Sequence, residues 1–116
     1  MDSILTTIKK NLGITDEYTQ FDPEIMMHIN SVFMILTQQL GVGPEAGFRI
    51  ADKGDSWSDF IPEDDLRFEA VKTYLYLKVK LMFDPPDRAA IMESYNSQIR
   101  ELEWRLNVAA ESSKSE

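Results

Sequence analysis

The sequence predicts a mainly α protein: a small four-helix bundle with an inserted loop or short β-hairpin. Three observations carry that prediction. Apolar residues recur at spacings of three and four in separate stretches, as in helices that bury one face. Those stretches are punctuated by Gly13, Asp22-Pro23, Gly41 and Phe83-Asp84-Pro85-Pro86, which are stop and start signals. Between residues 42 and 61 the periodicity lapses, and glycines with isolated aromatics replace it.

The first helix is predicted over 3–12. Ser3 can cap it, Ile4, Leu5, Ile8 and Leu12 form its stripe, and Gly13 ends it. After a polar connector, a second helix runs over 23–40, with Asp22 as capping acid and Pro23 in the first turn. Its stripe is Ile25, Ile29, Val32, Phe33, Leu36 and Leu40, and Gly41 stops it. The 42–61 segment reads either as a hairpin, Phe48–Ala51 and Ser56–Phe60 around a turn at 52–55, or as an irregular loop pinned by Trp57. Met26, Met27, Met34 and Met82 are expected to fill the core.

A third helix is predicted over 63–83, with Glu63, Asp64 and Asp65 complementing the dipole of its first turn. It is apolar on more than one face, so it is either sandwiched between neighbours or lies at a subunit contact. Asp84, Pro85 and Pro86 form a stiff corner, because two prolines remove two backbone donors where a helix would need them. The fourth helix is predicted over 87–109, with Met92, Tyr95, Ile99, Leu102 and Leu106 on one face. Trp104 lies about 200° from Leu102, on the opposite side. It either packs against the inserted loop, lies half exposed, or anchors another subunit, a role in which tryptophan is enriched. Residues 1–110 are expected to form one helical domain and 111–116 a frayed polar tail.

Composition narrows the function. At 116 residues, 43% hydrophobic and 10% aromatic, the chain can build a real core. It has no cysteine, which excludes disulfides and thiolate metal sites. No basic stretch precedes an apolar one at the N-terminus, so no secretory leader is expected. No apolar run approaches the ~20 residues that span a bilayer, so no membrane association is expected. The net charge of −8 is spread along the chain, and no helix gathers the Lys and Arg cluster that phosphate neutralisation requires. An acidic body can lie near DNA without gripping it.

Chemistry-bearing constellations are sparse. His28 is the only histidine; Glu24 precedes it by four, so neither an HExxH helix nor a pair of Glu-x-x-His motifs exists. Asp52, Asp55, Asp59, Glu63, Asp64 and Asp65 miss the calcium-loop spacing, since Gly54 follows Asp52 by two residues. Gly41, Gly43 and Gly47 follow a helix where a nucleotide fingerprint needs a strand. No Gly-x-Ser-x-Gly elbow is present. The residues therefore indicate no enzyme, no cofactor and no metal site.

The strings Val71-Lys72-Thr73-Tyr74-Leu75-Tyr76-Leu77-Lys78-Val79-Lys80, Phe83-Asp84-Pro85-Pro86 and Glu101-Leu102-Glu103-Trp104-Arg105-Leu106-Asn107 resemble the gp6-like head–tail connector (adaptor, head-completion) family of tailed bacteriophages. That family is common in prophages of low-GC Gram-positive bacteria. The resemblance extends through Ile8-Lys9-Lys10-Asn11-Leu12-Gly13-Ile14, His28-Ile29-Asn30-Ser31-Val32, Leu40-Gly41-Val42-Gly43-Pro44 and Trp57-Ser58-Asp59-Phe60. It implies a helical bundle that assembles into a homo-oligomeric ring of about twelve subunits, closed by head-to-tail contacts. The ring would sit beneath the portal protein, extend the DNA channel and meet a downstream stopper or tail-completion protein. Location follows: the head–tail junction of the virion, and the host cytoplasm during assembly. Candidate interface residues are Trp57, Phe60, Tyr76, Lys80, Trp104, Arg105 and Glu111, with Asp84, Pro85 and Pro86 as the corner. The competing reading is a non-enzymatic prophage binding module, a regulator or assembly chaperone that clasps one partner.

Overall fold

The computed structural model describes residues 3–114, with side chains described as far as Ala109. Helix α1 spans Ile4–Asn11, and the Ser3 hydroxyl accepts the Thr6 N–H at 3.2 Å. It ends as its glycine foretells: Gly13 takes φ +82°, so the Ile14 N–H reaches back to the Lys9 carbonyl at 2.9 Å. Helix α2 spans Asp22–Met34 and continues as a π turn over Ile35–Gln39. Its stripe is buried through Leu36, while Leu40 packs at the core margin.

Asp22 does not cap α2 as expected. The helix begins at Asp22 itself, and no side chain caps it. The carboxylate serves Lys9 instead, whose ammonium lies 2.9 Å from Asp22 Oδ1 and donates to the Asp16 carbonyl at 3.1 Å. Lys9 is 1% exposed, and a buried ammonium requires an opposite charge. No donor is aligned on Asp22 Oδ1, so the contact is held by charge. It ties α1 to the connector and to the start of α2.

No hairpin forms over 42–61; the loop reading holds. A single antiparallel bridge joins Ser3 to Ser56. The loop is pinned from inside by Val42, Ile50 and a triad of rings, Phe33, Phe48 and Phe60, with centroids 4.6–5.2 Å apart. Gly43 has φ +90°, and a Cβ there would sit 2.4 Å from the Phe60 ring, so only glycine fits. The Asn30 amide replaces a strand neighbour, accepting the Ile50 N–H at 2.7 Å and donating to the Ile50 carbonyl at 3.0 Å. Around the tip, Asp52 and Asp55 spend their carboxylates on backbone N–H groups of residues 51, 52 and 54. One short helix, α3 (Trp57–Phe60), follows, and Trp57 Nε1 donates to Thr7 Oγ1 at 3.1 Å.

Helix α4 spans Phe68–Phe83, five residues shorter at its start than the predicted 63–83. Asp65 explains the delay. Its carboxylate takes the Arg67 N–H at 2.8 Å and grips the Arg67 guanidinium at 2.9 and 3.0 Å. Such local bonding gives the backbone an alternative to helix. Helix α5 spans Ala89–Lys114, so it runs past the predicted stop at 109 and takes in the backbone of the first tail residues. Helix α4 packs against α2 on one flank and α5 on the other, and the molecule measures 44 × 36 × 21 Å. Buried Tyr74 ties α4 to α5 by donating to Glu103 Oε2 at 2.8 Å.

Candidate functional site

The apolar surplus of α4 is used inside the chain. Val71, Tyr74, Leu75, Leu77 and Val79 are all buried between the flanking helices, which answers the choice between sandwich and subunit contact for most of this helix. Three of the four methionines expected inside are outside: Met27 is 61%, Met34 56% and Met82 41% exposed, and only Met26 packs on the core. The spacing held the information. Met27 and Met34 lie about 160° and 140° from Ile29, opposite the buried stripe.

The candidate interface residues separate into two groups. Trp57 and Phe60 are core residues, nearly inaccessible, and so offer no surface to a partner in this fold. The Gly43 approach and the ring triad enclose Phe60, while Trp57 lies edge-on to Phe68 of α4 and donates to Thr7 of α1. Trp104, in contrast, is 64% exposed. It stands on the outer side of α5 between two ion pairs, Glu93–Arg100 at 3.6 Å and Glu101–Arg105 at 2.9 Å. Glu111 lies on the α5 backbone, and its side chain falls outside the described residues.

Tyr76 and Lys80 are half-buried on α4 near the corner. The Tyr76 phenol is pushed up by burial, and further by its hydrogen bond with Tyr95. Lys80 donates to Asp84 Oδ2 at 2.8 Å, and that bond raises the ammonium above its ordinary value. Asp84 closes α4, with its N–H on the Lys80 carbonyl at 2.9 Å. The corner is thus built from a cap, an i,i+4 ion pair and two prolines. Beside it the rings of Tyr18, Phe21 and Phe83 form a row, tilted at the first contact and edge-on at the second, with centroids 5.5 and 5.3 Å apart.

A small groove of about 260 Å³ lies between α4 and α5 beside Thr73, Glu101 and Arg105, and two wider ones are open among the described residues. One, about 840 Å³, lies between α1 and α4 and is walled by Ser3, Thr6, Thr7, Lys10, Lys72, Thr73 and their neighbours. Its hydroxyls are partly spent: Thr6 donates to Asp16, and Thr7 donates to the Ser3 carbonyl. The other, about 800 Å³, lies between the outer side of α2 and the loop, walled by Met27, Asn30, Ser31, Met34, Phe48 and Arg49. Sequence reasoning missed this second groove, because its wall is set by the Asn30–Ile50 clamp, a contact twenty residues apart.

Elsewhere the charges are structural. The Arg67 guanidinium holds the Asp65 carboxyl below the ordinary carboxylate range, against the opposing effect of burial. Burial, and then the bond to Glu103, pushes the Tyr74 phenol upward. His28 is half-buried on α2. Among the described residues, no three His, Asp or Glu side chains gather as metal ligands, and no helix is long and apolar enough to cross a membrane. The arrangement offers grooves and an exposed indole, features suited to holding another macromolecule.

No curated protein and no solved structure matches the chain. The family model for phage connector proteins matches it over residues 4–113, a span that takes in α1 to α4, all but the end of α5 and the inserted loop. On that match, across nearly its whole length, this chain belongs to the phage connector protein family.

Proposed function

We propose that the protein is a structural subunit of a head–tail connector ring that docks under the portal protein, extends the DNA channel and receives a downstream stopper or tail-completion protein. The observation that carries this reading is the family match over residues 4–113. Three features support the finer statement. A ring subunit needs two dissimilar contact faces, because head-to-tail association joins different patches. This chain carries an exposed indole on α5 and a thioether-lined groove on α2. Its net charge of −8 suits a wall past which DNA slides without being held.

In this reading Trp104, Arg105 and the α5 end bearing Glu111 face a neighbour or the portal. Tyr76 and Lys80 with the Asp84-Pro85-Pro86 corner set the angle between α4 and α5. A host among Gram-positive bacteria, a prophage origin and about twelve subunits per ring belong to the same proposal. Isolated subunits are monomeric or weakly associated and close into a ring on the portal.

The test is a phage whose copy of this gene is interrupted. The expected result is DNA-filled heads and finished tails that do not join, restored by the gene supplied in trans. Joined, infectious particles formed without the protein would overturn the proposal. A cryo-EM reconstruction of the portal vertex then gives the ring number and the contact faces.

A further inference from the structure

Two apolar patches lie on different flanks of the molecule, and they differ in shape. On α5, Trp104 and Val108 project from a convex ridge, 64% and 40% exposed. On α2, Met27 and Met34 line a groove whose wall continues through Phe48 and Arg49. A projecting indole fits a groove better than it fits a second projecting face, and the groove has no projection to offer another groove.

Charge selects the occupant. Two copies of a chain with net charge −8 repel each other over most of their surfaces. The ridge escapes that repulsion, because its carboxylates Glu93 and Glu101 are paired with Arg100 and Arg105. The groove escapes it too, because Arg49 is the one charged side chain in its wall. Arg49 also has no carboxylate partner among the described residues. Its guanidinium can lie over an indole face, and thioether sulfurs favour aromatic edges. Ser31, Thr37 and Gln38 supply acceptors for the indole N–H.

We infer that the Trp104 ridge of one copy seats in the Met27–Met34–Arg49 groove of the next copy, forming the head-to-tail joint of the assembly. This inference rests on the connector reading and adds the pairing of faces to it. Each subunit gives its ridge to one neighbour and its groove to the other, so the contact propagates until it closes.

The absence of cysteine allows a clean test. Val108→Cys marks the ridge and Gln38→Cys the groove, both at exposed helix positions. The two full-length variants are mixed at high concentration, alone and on the portal protein, and treated with a short bis-maleimide. Cross-linked dimers are expected in the mixture and not in either variant alone. In parallel, Trp104→Ala and Met34→Glu should each weaken self-association roughly thirtyfold, the loss typical of an interface anchor. Mixed together they should recover pairs that cannot extend, because each keeps the face the other has lost.

Equal cross-linking within each single variant would overturn the pairing in favour of a self-matching contact. Assembly on the portal without the mixed cross-link would overturn the pairing and leave the connector reading standing. No assembly and no cross-link, even on the portal, would overturn both.

Discussion

Helices α4 and α5 meet at one proline corner and use apolar residues in opposite ways. In α4 they are dense, and Val71, Tyr74, Leu75, Leu77 and Val79 all vanish between two neighbours. In α5 they are sparse; Ile99 and Leu106 are buried, while Ile91, Trp104 and Val108 reach solvent. Density of apolar residues therefore signals a helix at the centre of its own fold. A lone aromatic among charges signals a surface kept for something else. The surplus on α4 looks like the sticky face in sequence, yet the exposed face belongs to the more polar helix.

The strongest way to break this comparison is at its interior pole. Leu75→Ala removes a fully buried side chain and should cost about 3 kcal/mol, lowering Tm by roughly 10 °C. Calorimetry reads it, and a loss below 1 kcal/mol would mean that α4 is not the central helix. At the corner, Pro85→Gly with Pro86→Gly should cost about 1–2 kcal/mol through unfolded-state entropy. Joining of heads to tails should suffer more than melting temperature does. Unchanged assembly would show that the corner sets nothing outside the monomer.

The seam between the two helices is probed by Tyr74→Phe, expected to cost about 1–2 kcal/mol as the bond to Glu103 is lost. The phenol is shifted upward in the folded chain, so its contribution is present below the ordinary tyrosine value and lost as pH rises through the raised one. Wild type should therefore lose stability in alkali that the Phe variant does not lose. Next in size is Asp65→Asn, at about 0.5–1 kcal/mol near neutrality. The Asp65 carboxyl is shifted downward, so its stabilisation holds above the ordinary carboxylate value and fades as pH falls through the lowered one. Urea midpoints of the pair should converge in acid; a constant gap would remove Arg67 as the cause.

The smallest effect on stability belongs to the other pole. Trp104→Ala should change unfolding free energy by no more than about 0.5 kcal/mol, because the side chain is mostly in solvent. A cost comparable to Leu75→Ala would show that Trp104 is a core residue and would dissolve the contrast.

Much of this was legible in the sequence. The periodic stripes, Gly13, Gly41 and the proline pair placed the helices, since these are local signals and local energies decide them. Trp104 was placed on the outer side by angle alone. What failed was decided at a distance. Lys9 is buried because Asp22 comes to it, which also removed the expected cap from α2. Phe60 is enclosed because Gly43 lets the loop approach, and Trp57 because Phe68 and Thr7 come to it from distant helices, contacts that no neighbouring residue announces. The methionines were misread for another reason. Methionine as a type favours interiors, but position on the helix decides, and Met27 and Met34 stand opposite Ile29.

Asn30 gives the α2 groove a mechanical character. The same amide forms part of its wall and holds Ile50 by both backbone groups. Pulling that side chain toward a visitor would release two bonds that keep the loop seated. The groove thus cannot deepen without loosening residues 42–50, and a guest that leaves Asn30 in place meets a wall of fixed shape. Width of the slot and order of the loop behave as one variable, read out together by amide exchange at Ile50.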